Sequence, residues 1–215
     1  MDRRDFIKKS AVAAAGSLLL ATPFASMLAS NEDKKGKGMK IVVLTGSPRK
    51  NGNTNHMADQ FIKGAKEAGH DVFRFNCATS EVHPCLGCNH CGMDGPCVYD
   101  DDFTNILRPE IIKADLVVFC SPMYYFGFSA QLKANIDRFY AINGPLHTYK
   151  KCIFLMAYAN MSKKDADAMT AHYKTIANYM GWEDVGSVIA PGIWTAGSIK
   201  GTKYSEEAYK LGRSL

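Results

Sequence analysis

From Met39 to the C-terminus, short apolar runs alternate with segments whose apolar residues recur at helical spacing, and this alternation constrains the fold more than any other feature. Strands buried on both faces read as continuous apolar runs, and interleaved amphipathic helices are what covers such a sheet. Residues 40–44 form the first expected strand. Met57, Phe61, Ile62, Ala65 and Ala68 then fall on one helical face, which Gly69 closes. Residues 71–75 give a second strand, and 116–120 a third, so continuous in Val and Phe that it belongs mid-sheet. A helix over 130–140, a fourth strand over 152–157, a helix marked by Ala166, Met169, Tyr173, Ile176, Ala177 and Met180, a fifth strand over 185–190 and a last helix near 205–211 complete the series. With 47% hydrophobic and 11% aromatic residues, the chain can bury one sizeable core, so residues 39–215 are expected to form one α/β domain with a five-stranded parallel sheet.

Residues 1–30 stand apart from that pattern. Asp2-Arg3-Arg4-Asp5-Phe6-Ile7-Lys8-Lys9 is a charged start, followed by an apolar stretch over 11–20 that is too short and too rich in Ala to span a bilayer. The paired arginines before Asp-Phe-Ile-Lys resemble a twin-arginine export signal, which implies an exported, periplasmic protein. A chance Arg-Arg before an uncleaved anchor is the other reading. Small residues stand at Ala25 and Ala29, but Pro23 and Met27 occupy the positions two earlier where a cleavage site wants another small residue. Residues 31–38, polar and lysine-rich, are expected to be a disordered leader. The formal charge of +5 is concentrated here: seven of the 26 Lys/Arg and four of the 21 Asp/Glu lie within residues 1–38, leaving 19 and 17 for the domain. A near-neutral domain with no dense basic run does not carry the footprint of a nucleic-acid binder.

The loop after the first strand carries the chemistry. Thr45-Gly46-Ser47-Pro48-Arg49-Lys50-Asn51-Gly52-Asn53-Thr54 runs from a strand into a helix, an arrangement that leaves backbone N–H groups free to bind an anion. It offers the Ser47 and Thr54 hydroxyls, the Asn51 and Asn53 amides and the Arg49 cation. No Gly-Lys-Ser/Thr follows the glycines and no Gly-x-Gly-x-x-Gly is present, so neither a Walker loop nor a dinucleotide fingerprint is formed. A terminal monophosphate suits what remains. A solvated turn with Asn53 or Thr54 as helix cap is the plainer alternative.

Together with 121–138, which reads Ser-Pro-Met-Tyr-Tyr-Phe-Gly-Phe-Ser-Ala-Gln-Leu-Lys-Ala-Asn-Ile-Asp-Arg, this loop resembles the NADPH-dependent FMN reductase family of the flavodoxin-like superfamily. The resemblance spans nearly all of 39–205. It implies a flavodoxin-like three-layer sandwich with strand order 2-1-3-4-5 and FMN at the carboxyl ends of the strands. It further implies that Ser47, Arg49, Asn51, Gly52, Asn53 and Thr54 hold the FMN phosphate, and that Pro122, Met123, Tyr124, Tyr125 and Phe126 border the flavin ring. A flavin needs a flat apolar wall with backbone donors, which an aromatic loop after a central strand supplies; such aromatics also serve as plain core packing. Trp194, in Pro191-Gly192-Ile193-Trp194-Thr195, either reaches the same face or is a buried anchor, and Ala157-Tyr158-Ala159-Asn160 occupies a third loop position.

Between the second and third strands a long irregular loop holds Cys85, Cys88, Cys91 and Cys97. Gaps of two residues let successive sulfurs converge, Gly87, Gly92 and Gly95 permit tight turns, and four thiolates match a [4Fe–4S] cluster. The compact spacing resembles the iron–sulfur flavoproteins, although the last gap departs from the ferredoxin run. Zinc with His83 or His90 in reserve, disulfides formed after export, and an inherited loop without metal stay open. Cys77, Cys120 and Cys152 lie in or beside strands and are expected to be ordinary buried thiols.

There is no Gly-x-Ser-x-Gly elbow, and His56, His70, His147 and His172 are scattered without partners, reading as solvated surface groups, so hydrolysis has no support and no catalytic acid or base is assigned. The expected function is therefore an FMN-dependent oxidoreductase that passes electrons to a quinone, another flavin or a small electrophile. The family points to NAD(P)H as donor, whereas export favours a protein or quinone donor. An electron carrier relaying between redox protein partners through FMN and a cluster is the alternative. Relatives are commonly homo-oligomers.

Overall fold

The computed structural model describes residues 38–215. The expected signal segment, residues 1–30, and residues 31–37 of the expected leader lie outside the described residues. The strands are β1 (Lys40–Thr45), β2 (Asp71–Asn76), β3 (Leu116–Tyr124), β4 (Gly127–Phe128), β5 (Lys151–Ala157) and β6 (Glu183–Ala190). The helices are α1 (Asn53–Glu67), α2 (Arg108–Ile112), α3 (Ala130–Asp137), α4 (Asn143–Leu146), α5 (Asp167–Met180) and α6 (Lys203–Arg213). β2, β1, β3, β5 and β6 lie side by side in parallel, the 2-1-3-4-5 order of a flavodoxin-like sheet, and the two-residue β4 folds back antiparallel onto β3.

Strand alternation divides the core. Val42, Leu44, Val117, Phe119, Phe154 and Met156 face one side, where Leu132, Phe139, Met169 and Tyr173 cover them. Ile41, Val43, Leu116, Val118, Ile153 and Leu155 face the other, under Met57, Phe61 and Ala65 of α1 and Ala208 of α6. Every one of these strand residues is fully buried, which is why the strands read as unbroken apolar runs. α1 and α6 approach with little between them: a Cβ on Gly64 would collide with the Tyr209 carbonyl, and one on Gly212 with the Phe61 carbonyl.

Besides the short β4 and α4, three features depart from the sequence expectation. Residues 103–107 form a π-helical turn that continues into α2, where no element was expected. The helix expected over 130–140 is α3 followed by a 3₁₀ segment, Arg138–Ile142. The histidines are not simple solvated groups. His56 Nε2 pairs with Ser205 Oγ at 2.8 Å, His70 Nδ1 accepts from the Met39 N–H at 3.0 Å, His172 packs edge-on to Phe128, and the exposed His147 lies 3.0 Å from the Tyr179 carbonyl. Each imidazole serves the fold by tying two segments together.

Candidate functional site

The carboxyl ends of β1, β3, β5 and β6 all open on one edge of the sheet, and β1 and β3 flank the point where strand order reverses, where open α/β sheets bind ligands. A cleft of about 580 Å³ lies there, within the size range of cofactor pockets.

One end is the loop before α1. Gly52 is the N-cap and offers no side chain, so the first-turn N–H groups have no cap, and no acidic residue stands in that turn. Uncapped amides and the helix dipole make this end attractive to an anion. Ser47 is buried and Arg49 exposed, both on the cleft. Thr54, at the second helical position, buries its Oγ1 without a hydrogen-bond partner. A buried hydroxyl left unpaired costs free energy, so a ligand oxygen at this place would satisfy it. The loop is shaped by the Gly52 N–H and the Asn55 amide, both donating to the Arg49 carbonyl at 2.8 Å. Arg74 in turn holds Asn55 Oδ1 at 3.1 Å while pairing with Asp59, an anchor that lies off the motif and that sequence reading missed.

The opposite wall comes from β3, which overshoots the sheet. Met123 pairs with Phe128 and Tyr124 with Gly127, so Tyr125 and Phe126 are the central residues of a two-residue hairpin turn. Both have positive φ, 45° and 63°, and both are exposed. Such turns favour Asn-Gly because two large side chains there are strained. Behind the turn, Ser129 caps α3 and donates to the Gly46 carbonyl at 2.7 Å, and Ser121 Oγ accepts from the Ser129 N–H at 3.0 Å. The two loops are thus bonded into one unit. The Cys120 thiol donates to the Thr54 carbonyl at 3.1 Å beneath them, and burial pushes it up to about 12, so it is inert.

Of the residues expected at the site, Ser47, Arg49, Gly52, Asn53, Thr54, Pro122, Met123, Tyr124 and Tyr125 line the cleft. Asn51 and Phe126 are exposed and are not among the residues lining it. The Asn53 side chain also bridges to the loop after β6: its amide nitrogen donates to the Thr195 carbonyl at 2.9 Å and its Oδ1 accepts from the Ile199 N–H at 3.3 Å. The third and fourth walls are Ala157, Tyr158 and Ala159 after β5, and Ile193, Trp194, Thr195 and Ala196 after β6. Trp194 is 78% exposed, which excludes the buried-anchor reading. Tyr158 is buried, and its hydroxyl donates to the Ser162 carbonyl at 3.1 Å.

The cysteine loop forms a separate region. Cys85, Cys88, Cys91 and Cys97 line one cavity of about 20 Å³, room for roughly one water. All four are free thiols, and among the described residues no three His, Cys, Asp or Glu side chains converge as a metal site. The loop base is knotted to the fold by Arg138, which is 1% exposed. Its guanidinium donates to both Asp101 carboxylate oxygens, at 2.7 and 3.2 Å, and to the His83 carbonyl at 2.9 Å. It lies over the Phe103 ring at 4.8 Å. Burial raises the Asp101 pKa, but the hydrogen bonds from Arg138 and from the His83 and Thr104 N–H groups outweigh that and hold the carboxyl below its usual range. Arg138 ends the quoted ring motif, yet nothing local signalled that it pairs with an aspartate 37 residues earlier.

Fold and cleft together define a flavodoxin-like protein with its ligand site at the switch point of a parallel sheet. The family model for NADPH-dependent FMN reductase matches residues 39–195, and the chain belongs to that family. It is 38% identical over 100 residues to an iron–sulfur flavoprotein of Methanocaldococcus jannaschii, covering 46% of this chain and 51% of that protein. A second relative, an iron–sulfur flavoprotein of Archaeoglobus fulgidus, is 25% identical over 178 residues, covering 79% and 90%. The chain spans about half the length of the curated relatives it matches at higher identity. Among solved structures, the NAD(P)H:quinone oxidoreductase of Methanothermobacter marburgensis shares the fold with a TM-score of 0.61 at 17% identity, covering 83% of this chain and 96% of that one. A Bacillus anthracis FMN-dependent NADH-azoreductase in complex with FMN aligns with a TM-score of 0.59 at 15% identity, covering 82% and 96%.

Proposed function

We propose that this protein is an FMN-dependent oxidoreductase whose cleft seats the FMN phosphate at the N-terminus of α1 and the flavin ring against residues 122–125. The observation that carries this reading is the buried, partnerless Thr54 hydroxyl at an uncapped, acid-free helix start, opening on a cleft large enough for the cofactor. Bound there, FMN supplies two-electron redox chemistry. The chain's own part is to bind and orient: Ser47, Arg49 and Thr54 for the phosphate, the linked loops at Ser121 and Ser129 for the spacing between phosphate and ring, and Tyr158 as a neutral inner wall. Burial raises the Tyr158 phenol pKa, which keeps it uncharged. Flavin released by heat should be FMN. Recovery of FAD, or no uptake from excess FMN, overturns the reading.

A quinone or other small molecule is the proposed acceptor, and NAD(P)H the donor the family suggests. A second reading, an electron carrier that also holds a [4Fe–4S] cluster, is favoured by one observation: the four loop cysteines line a common cavity on a base fixed by Arg138 and Asp101. That cavity is too small for a four-iron centre as it stands, so the sulfurs would have to draw apart around it. Iron analysis of anaerobically purified protein decides this, with about four irons per chain expected for the cluster and none for the plain loop. We further propose a homo-oligomer, checked by light scattering, and export by the twin-arginine route on the strength of Arg3 and Arg4. Changing both arginines to Lys should keep the protein in the cytoplasm; continued export removes that proposal.

A further inference from the structure

We infer that Trp194 is a specificity-determining residue, forming the outer wall on which a flat, uncharged aromatic acceptor of the quinone type stacks. This rests on the FMN reading above and on its quinone-type acceptor, and adds the residue that selects it. The chain has two tryptophans. Trp182 is 5% exposed, and its ring N–H donates to the Leu146 carbonyl at 2.9 Å, a satisfied core residue. Trp194 is the opposite case, lining the cleft mouth with most of its surface in solvent. An exposed indole in a concave site is apolar area available for stacking.

The backbone that carries it is fixed, although the indole is free. The Ile193 N–H donates to the Tyr158 carbonyl and the Gly192 N–H to the Asn160 carbonyl, both at 2.8 Å. On the other side Asn53 holds the Thr195 carbonyl. The Trp194 backbone is therefore tied both to the phosphate-end helix and to the inner wall, which keeps the residue on the cleft. Asn53 is a positioning residue in this scheme. Depth separates the roles: Tyr158 is buried and belongs to the inner cleft, whereas Trp194 and the fully exposed Tyr125 stand at the mouth.

Charge sets the class of acceptor. Among the described residues that line the cleft, Arg49 is the one charged side chain, and it stands at the phosphate end. Once the FMN phosphate has taken it, the mouth retains no cation for an anionic substrate, and an anion desolvated without a partner binds poorly. A neutral planar ring needs no such partner. FMN, when bound, would supply the two electrons and two protons that convert a quinone to its hydroquinone, and Trp194 would hold the acceptor ring over the cleft mouth for that transfer.

The test is calorimetric titration of menadione into the full chain loaded with oxidised FMN, a state in which binding occurs without electron transfer. Trp194→Ala should weaken menadione about 10-fold and Trp194→Phe about 3-fold or less, with FMN affinity unchanged in both, the tenfold loss corresponding to about 1.4 kcal/mol. Three results overturn the inference alone: no menadione binding to the loaded wild type, equal affinity in Trp194→Ala, or a parallel loss of FMN affinity, which would place the indole on the cofactor. Failure of the wild type to take up FMN overturns the parent reading as well.

Discussion

At the scale of single residues, the cleft retains a side chain that does nothing for the fold. Thr54 Oγ1 is buried at the edge of the cleft and has no hydrogen-bond partner in the fold, so Thr54→Val exchanges an unsatisfied hydroxyl for a methyl. The apoprotein should gain about 1 kcal/mol or more, the penalty of an unpaired buried polar group, while FMN binding weakens. Paired denaturant melts and FMN titrations check this; a loss of apoprotein stability would mean that the hydroxyl has a partner in the fold. Arg49→Ala should weaken FMN by about 1.5–3 kcal/mol, as expected for a charge-assisted phosphate contact, with little change in melting temperature because the side chain is exposed. Cys77 and Cys152 invite no functional role: burial pushes both thiols up, Cys152 to about 11, so neither offers a thiolate near neutrality.

At the scale of elements, one left-handed turn and one close helix approach explain positions that sequence periodicity leaves unmarked. The β3–β4 hairpin turns on Tyr125 and Phe126 in left-handed backbone, where Asn-Gly would be free of strain. The double change Tyr125→Asn with Phe126→Gly should therefore raise apoprotein stability by about 1–3 kcal/mol while removing aromatic surface from the cleft mouth. An unchanged or lower melting temperature would show that the turn is held without strain. In α1, Gly64 faces the α6 backbone directly, so Gly64→Ala must force the helices apart despite alanine's better helix propensity. We expect a loss of about 1–3 kcal/mol in urea melts, since inserted volume between packed backbones has no rotamer to relax into. A stabilised Gly64→Ala protein would contradict the contact.

At the scale of the whole molecule, the Arg138–Asp101 pair connects the cysteine loop to the α3 side of the sheet. Breaking it by Asp101→Asn leaves a buried guanidinium without its counter-charge, a loss of about 3–5 kcal/mol. The pH dependence follows from the lowered Asp101 pKa. Its stabilisation is fully present above the unfolded value near 3.8 and is lost as pH falls through the still lower folded value. Wild-type stability should therefore drop as pH falls below about 4, and Asp101→Asn should show a shallower drop there. Parallel slopes would remove Asp101 from the acid response. Donor preference is also a property of the assembled protein: anaerobic NADPH bleaches the flavin within seconds if the protein is a reductase, whereas reduction by dithionite alone marks a carrier.

The sequence by itself determined the layered α/β architecture, the central place of β3 and the loops that form two walls of the cleft. These depend on local periodicity and on the strand–loop–helix order, which any chain with that pattern must satisfy. It also marked four clustered thiols. Only the tertiary structure decided which residues face inward, because that depends on partners distant along the chain. The Asn53 side chain reached Thr195, 142 residues away, Arg138 found Asp101, and Trp194 came to the mouth of the cleft rather than into the core. Side-chain direction at turns and loop ends follows from such long-range hydrogen bonds, and local composition carries no record of them.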